Sequence, residues 1–364
     1  MGRPRVHVLG AGAVGLLFAA HLRWAGHPVT LLLRSQAAVG RFAGRVVVAD
    51  EWAQAAGGAA PQRVADRIQA EVAAPPSHPG SGSSAPIERL LVATKAQDAA
   101  AACAAVRHRL GRQSTVALLQ NGLGVAEAVR DALGPGAQPA LIVGTTSHGC
   151  HRFPGEEFGT RFAAPGACAF AVHPPPPPPS PGAVAAPPPS AQQLADALVA
   201  APGLAATPVA DWADLHVQLL LKLAANATIN PATALAGCRN GRIWPGNDDN
   251  DDAVRRYLPL VCAEAAAIYG RAHPALRHRL TARAIEDHVA AVVRATARNR
   301  SSMLQDLDAG RRTEIGWING HLVRLAEQHG VPAPANTLLY ALVRLREQQQ
   351  EQQQQEQQRD EADP

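Results

Sequence analysis

Val6-His7-Val8-Leu9-Gly10-Ala11-Gly12-Ala13-Val14-Gly15, running on into Leu16-Leu17-Phe18-Ala19-Ala20-His21-Leu22, decides how this chain begins to fold. Residues 6–9 read as a short buried strand. The next six residues match the pattern G-x-G-x-x-G, and the apolar run after them reads as a helix that ends near Gly26. Val29-Thr30-Leu31-Leu32-Leu33 reads as a second strand. Strand, glycine-rich turn, helix and strand in that order form the setting in which such glycines bind a dinucleotide. Gly10 permits the tight turn, Gly12 lets backbone approach a pyrophosphate, and Gly15 lets helix and strand pack closely. With Ala11, Ala13 and Val14 these residues form the expected cradle, where the helix N-terminus offers unpaired N–H groups to the phosphates.

The residues after the second strand bear on the choice of cofactor. An acid there would hold the ribose 2′-hydroxyl of NAD, but the chain continues Arg34-Ser35-Gln36. Arg34 suits a 2′-phosphate, which points to NADPH. An ordinary surface arginine is the plainer alternative.

Further strands are expected at 90–94, ending in Lys95, at 115–119, ending in Gln120-Asn121-Gly122, and at 141–144, before Thr145. Ligands of open α/β sheets lie beyond the carboxyl ends of strands, so Lys95, Asn121 and Thr145 are candidates. Asn-Gly is equally a turn pair, and Lys95 equally a solvated cation.

Composition narrows the field. The 364 residues accommodate two domains, and the net charge of +4 is not gathered into a basic block of the kind nucleic acid requires. No apolar run is long enough for a membrane span, and a strand at residue 6 leaves no room for a cleaved presequence. Five scattered cysteines suggest neither a disulfide framework nor a metal site. A reducing, cytoplasmic setting is therefore expected. Of 34 basic residues only two, Lys95 and Lys222, are lysines. Arginine stays protonated, whereas lysine exchanges its proton readily when buried, so these two positions are the first places to look for proton transfer.

Lys222 lies in an apolar stretch, 215–229, that predicts a buried helix ended by Pro231. Asn226 and Asn230 follow at i+4 and i+8 on roughly the same face. Polar groups among leucines are costly without partners, which favours a functional cluster over a solvated stripe. Helices are also expected at 253–269 and from about 285 to 308, the latter carrying Asn299, Ser301 and Ser302. A final helix, with a core stripe of Ile315, Ile318, Leu322 and Leu325, is expected to end at Gly330. The acidic run 248–252 lacks calcium-loop spacing and reads as a solvated loop. Residues 53–86 read as a loosely ordered excursion. Residues 173–190, with six consecutive prolines, read as a polyproline spacer, a composition that also suits docking of a proline-binding module. The Gln/Glu-rich tail from about 347 is expected to extend the last helix and fray.

Taken together, these motifs resemble the ketopantoate reductases (2-dehydropantoate 2-reductases). The resemblance is carried by Gly10–Gly15, Lys95, Gln120-Asn121-Gly122 and the string from Lys222 through Asn226 and Asn230 to Pro231. It continues in Cys238-Arg239-Asn240-Gly241, in Asn299 through Asp306, and in Arg312-Thr313-Glu314-Ile315 with Ile318-Asn319-Gly320. It implies an α/β fold: an N-terminal Rossmann-type dinucleotide-binding domain followed by an all-helical C-terminal domain, 6-phosphogluconate-dehydrogenase-like. The division expected is 1–210, with loop insertions at 53–86 and 173–190, then 211–346 and a low-complexity tail, 347–364.

The resemblance also implies roles. Lys222 is the general acid and Glu314 acts with it, close to the cofactor. Asn226, Asn230, Asn299, Ser302 and Asn121 hold substrate. Gly10, Ala11, Gly12, Ala13, Val14, Gly15, Arg34, Lys95 and Asn121 bind NADPH, and no metal is required. The activity implied is reduction of ketopantoate to pantoate on the way to pantothenate and coenzyme A, by a chain compatible with a homodimer. Two alternatives remain: a reductase of the same fold acting on another 2-keto acid or an imine, and a non-catalytic NADP-binding sensor or scaffold.

Overall fold

The computed structural model describes residues 2–54, 58–74, 83–174, 186–243 and 252–362. They divide into two units. The first comprises residues 1–120 and 125–215, and the second residues 121–124 and 216–364.

The first unit holds strands β1 (Val6–Leu9), β2 (Val29–Leu33), β3 (Arg45–Asp50), β4 (Gln62–Asp66), β5 (Gln69–Val72), β6 (Arg89–Val92), β7 (Thr115–Leu118), β8 (Ala140–Thr146), β9 (Gly149–Arg152), β10 (Gly159–Ala164), β11 (Cys168–Val172) and β12 (Ala206–Pro208). Its helices are α1 (Ala13–Trp24), α2 (Gln36–Arg41), α3 (Ala96–Ala105), α4 (Val125–Leu133) and α5 (Pro189–Val199). The main sheet has the order β12-β11-β8-β7-β6-β1-β2-β5. From β5 to β8 all pairings are parallel, and β11 joins β8 antiparallel. The chain leaves β1 towards β2 and later returns to β6 on the other side of β1. The carboxyl ends of β1 and β6 therefore flank a topological switch point, where open α/β sheets take their ligands.

A second sheet, β4-β3-β10-β9, was not foreseen. Its reason lies in α1. Leu16, Leu17, Phe18, Ala19, Ala20 and Leu22 are all fully buried, so consecutive positions of this helix face inward on every side and it needs cover on both sides. It packs on β1 and β2 and also on β3, β9 and β10, and the shared core includes Val46, Val48, Phe158 and Phe162.

The excursion expected over 53–86 is accordingly corrected. It contains β4, and β5 is the edge strand paired with β2. Both are short and mostly polar, since one edges each sheet, so neither shows the hydrophobic run that marks an interior strand. Likewise Thr145 lies within β8 rather than after it. The polyproline run falls largely on residues 175–185, outside the described residues, as do residues 248–251 of the acidic run.

The second unit is helical: α6 (Trp212–Ala236, entered from the first unit), α7 (Asp252–Ala272), α8 (Ala282–Ala295), α9 (Ser302–Asp308), α10 (Asn319–His329) and α11 (Pro334–Ala362). Its core joins Leu220, Leu223, Ala224 and Ala227 of α6 to Cys262, Ala265 and Tyr269 of α7 and to Ile315, Ile318 and Leu322. Each fully buried leucine or isoleucine contributes about 1.5–3 kcal/mol.

Three helix expectations are corrected. The helix expected to span 285–308 is two: α8 ends at Ala295, and Ser301 turns extended and caps α9, its hydroxyl accepting the Leu304 N–H at 3.1 Å. Ile315 lies in a 3-10 turn ahead of α10 rather than in the helix, and α11 follows after Gly330. Finally, α6 continues through Pro231. A proline inside a helix strands the carbonyl four residues before it. That carbonyl, on Ala227, accepts instead from Asn319 Nδ2 at 3.0 Å. Asn319 is completely buried, and the same amide nitrogen also donates to Asn336 Oδ1 at 3.0 Å.

Candidate active site

The glycine turn after β1 separates into two kinds of position. Gly10 has φ +106°, and a Cβ there would lie 2.7 Å from the Thr94 backbone nitrogen. A Cβ on Gly15 would lie 1.9 Å from the Gly10 carbonyl oxygen. The protein's own packing explains both glycines. Gly12 differs: it has ordinary φ, and a Cβ would meet nothing nearer than the Ala93 oxygen at 4.0 Å. Its missing side chain leaves open room at the N-terminus of α1, where no side chain of Gly12 caps the helix and the first turn carries no acid. Helix N-termini in that condition suit an anion, so the cradle fits a dinucleotide pyrophosphate.

Arg34 directly follows β2. Its side chain is 88% exposed and lies 3.5 Å from Asp98 Oδ2 of α3, a loose ion pair in water. Lys95, half-buried, is the N-cap residue of α3. Gln120 braces the ends of two strands, its Nε2 donating to the Val92 carbonyl at 2.8 Å and to that of Thr94 at 3.3 Å. Its Oε1 and the Thr94 hydroxyl are buried there without a hydrogen-bond partner.

In the second unit Lys222 and Asn226 are half-buried on α6 and Asn230 is buried. Four residues turn a helix by about 400°, so the three lie within about 80° of one face. The helix around them is held from outside. Besides the Asn319 bond, the Tyr269 hydroxyl donates to the Leu220 carbonyl at 2.9 Å and that of Tyr257 to the Thr228 carbonyl at 2.7 Å. Burial raises both phenol pKa values, Tyr257 and Tyr269 alike, so these hydroxyls remain donors at any physiological pH.

Glu314 is buried, and its Oε2 accepts from Asn121 Nδ2 at 3.0 Å. Two residues that the sequence pairs only through resemblance, 193 positions apart, are thus in contact. The approach is fixed in backbone: the Leu123 N–H donates to the Trp317 carbonyl at 3.1 Å, and Gly122, at φ +85°, passes so close that a Cβ would lie 2.3 Å from the Trp317 oxygen. Beside this segment His321 has its pKa lowered to about 4, first by burial and then by Arg324, His273 and His216.

Asn299 and Ser302 are exposed. The Asn299 carbonyl accepts the Asn240 N–H at 3.0 Å, which ties the Cys238–Gly241 stretch to the loop before α9. Ser301, not Ser302, is the serine engaged with α6, its hydroxyl accepting from Thr233 at 2.7 Å.

Two family models match, end to end along most of the chain. The model described as ketopantoate reductase PanE/ApbA covers residues 6–174, and its C-terminal counterpart covers residues 214–347. A 2-dehydropantoate 2-reductase of Shigella flexneri is 31% identical over 71% of this chain and 74% of its own length. The chain belongs to the ketopantoate reductase family. Within that family, the 2-dehydropantoate 2-reductase of Vibrio cholerae is 29% identical over 94% of this chain and 97% of its own length. The fold is likewise that of a PanE/ApbA family ketopantoate reductase from Ralstonia eutropha, with TM-score 0.71 at 23% identity over 95% of this chain and 99% of that one. It is also that of a D-mandelate dehydrogenase solved with NADH and anilino(oxo)acetate, with TM-score 0.73 at 18% identity over 95% and 99%.

No helix among the described residues is long and apolar enough to cross a membrane, and none of their His, Cys, Asp and Glu side chains gather in threes as a metal site would require. Sequence reading missed the side chains that hold the others in place. Asn319 had a readable signal, because a proline within an apolar helix strands a carbonyl that some donor must meet. Thr233 and Asn336 gave none, since their partners are remote in sequence.

Proposed function

We propose that this protein is an NADPH-dependent 2-keto-acid reductase acting on ketopantoate, with Lys222 as general acid. The observation that carries this reading is a half-buried lysine, one of two in an arginine-rich chain, set on a leucine- and alanine-lined helix in register with Asn226 and Asn230. Family membership selects the substrate class.

The cradle of residues 10–15 holds the pyrophosphate, Lys95 lies along the cofactor, and Arg34 takes the 2′-phosphate, exchanging its loose pair with Asp98 for a doubly charged partner. NADPH, when bound, supplies a hydride. As the ketone is reduced, negative charge grows on its oxygen. The Lys222 ammonium stabilises that charge and donates the proton, which a guanidinium cannot usefully do. Glu314, oriented by Asn121, acts with Lys222. Asn226, Asn230, Asn299 and Ser302 hold the substrate's hydroxyl and carboxylate.

The test follows NADPH absorbance with ketopantoate, and with pyruvate, 2-ketoisovalerate, the keto acid of mandelate and NADH as controls. Turnover with ketopantoate and NADPH is expected, and Lys222→Arg should lower kcat by about 10²–10⁴. An unimpaired Lys222→Arg would refute the acid. Arg34→Asp should weaken NADPH more than NADH, and equal effects would remove the 2′-phosphate role. The mandelate arm is included because that fold neighbour acts in the same chemical class. A preference for its keto acid would replace ketopantoate by a bulkier substrate, and NADPH binding without turnover would favour a sensor.

A further inference from the structure

Helix α11 is 29 residues long, and from Gln348 onward it is almost wholly Gln and Glu. A helix polar all round has no hydrophobic face to hold it, so this tract was expected to fray. One stripe along it is instead engaged. Val343 and Glu347 are buried at 0% and 3% exposure, and Gln350 and Gln354 continue the same side of the helix. Glu347 Oε1 accepts the Thr313 backbone N–H at 2.6 Å, while Arg344 pairs with Glu347 Oε2. Gln350 Nε2 donates to the Leu307 carbonyl at 2.8 Å and Gln354 Nε2 to that of Gly310 at 3.3 Å, both at the C-terminal end of α9. The Leu307 carbonyl also takes the Gly310 N–H at 2.9 Å, so Gln350 adds a second donor there, while Gln354 meets a carbonyl just past the helix end. The far end of α11 is anchored as well, because Glu264 of α7 accepts the N–H groups of Ala335 and Asn336 at 2.7 and 3.0 Å.

What the stripe grips is the segment that delivers Glu314. Thr313, held through its N–H by Glu347, accepts the Ile315 N–H on its own hydroxyl at 3.2 Å, and between them the Glu314 carboxylate meets Asn121. A buried carboxylate is a costly way to make one backbone hydrogen bond unless charge-assisted strength is needed and a cation offsets its burial. Arg344 is that cation. We propose that Glu347, supported by Gln350 and Gln354, is a positioning residue: the glutamine tract is a strap that fixes the backbone at Thr313 and so aims Glu314 at Asn121. The catalytic half of this inference rests on the reductase reading.

The test uses the full chain with Glu347→Ala, Glu347→Gln and Gln350→Ala, and has two readouts. The first, amide hydrogen exchange of the 307–318 peptide without ligand, needs no activity. Losing the acceptor should speed exchange there by about tenfold in Glu347→Ala, and Gln, which keeps an amide oxygen for Thr313 but not the charge, should restore part of the protection. The second is kinetics: kcat should fall by about tenfold in Glu347→Ala with KM for NADPH nearly unchanged, and recover in part in Glu347→Gln. Unchanged exchange overturns the strap. Faster exchange with kcat and its pH profile unchanged overturns the positioning role. A wild-type protein that turns over no keto acid removes the reductase reading and the catalytic half with it, while the exchange data still decide the strap. Should Glu347→Ala fail to fold, Gln350→Ala carries both readouts.

Discussion

Asn319→Ala removes a side chain whose amide nitrogen serves two buried acceptors, the Ala227 carbonyl and Asn336 Oδ1, each at 3.0 Å. Leaving a buried acceptor unmet costs about 1–3 kcal/mol. Part of this is returned, because Asn319 Oδ1 is itself buried without a partner and disappears with the side chain. A net loss of about 2–3 kcal/mol follows. The distinctive expectation concerns Pro231. The Ala227 carbonyl needs Asn319 only because residue 231 has no N–H to give. Pro231→Ala brings that N–H, so Asn319→Ala should cost about 1 kcal/mol less in the Pro231→Ala background, above the few tenths by which independent sites depart from additivity. Equilibrium urea unfolding of the four proteins, followed by far-ultraviolet circular dichroism, measures the cycle. Equal costs of Asn319→Ala in both backgrounds would show that the asparagine does not serve the stranded carbonyl, and the account of how α6 passes its proline would be wrong.

Gly12→Ala should separate folding from binding. The added methyl meets no protein atom nearer than 4.0 Å, so the free energy of unfolding should change by less than about 0.5 kcal/mol, while NADPH affinity measured by titration should fall by at least about tenfold if the pyrophosphate rests there; undiminished affinity would move the phosphates elsewhere. Acid should destabilise the fold early. His7, His21 and His321 have pKa values lowered to about 4, in each case first by burial, with Arg109, Arg63 and Arg324 respectively adding to it. The unfolded chain takes protons near pH 6.5 and the folded chain does not, so this stability is complete above pH 6.5 and is lost towards pH 4, at about 1.4 kcal/mol per pH unit for each group. Thermal midpoints that stay level from pH 7 to 4.5 would contradict it.

Local pattern carried the opening of the chain. The alternation of strand, glycine turn and helix within residues 6–33 depends on contacts between near neighbours, so the dinucleotide-binding type of fold could be read directly. The spacing of Lys222, Asn226 and Asn230 likewise needs only the helical period. Where these readings fell short, the deciding partner was distant. A polar strand such as β4 gains its place from pairing with β3 and from the need to cover the far side of α1, neither of which its own residues reveal. Ser301 begins a new helix, after α8 has ended at Ala295, where a buried threonine on α6 meets its hydroxyl.

The sequence by itself thus determined the class of fold, the glycine turn after β1 and the polar face of α6, because periodicity and glycine stereochemistry are properties of short segments. Tertiary structure alone decided how the chain passes Pro231, why Gly122 lies against Trp317, and that Glu314 meets Asn121 across 193 residues. It also decided that a glutamine tract grips the loop before Glu314. A buried carbonyl, N–H or carboxylate must find its complement somewhere, and only the folded chain determines which remote group supplies it.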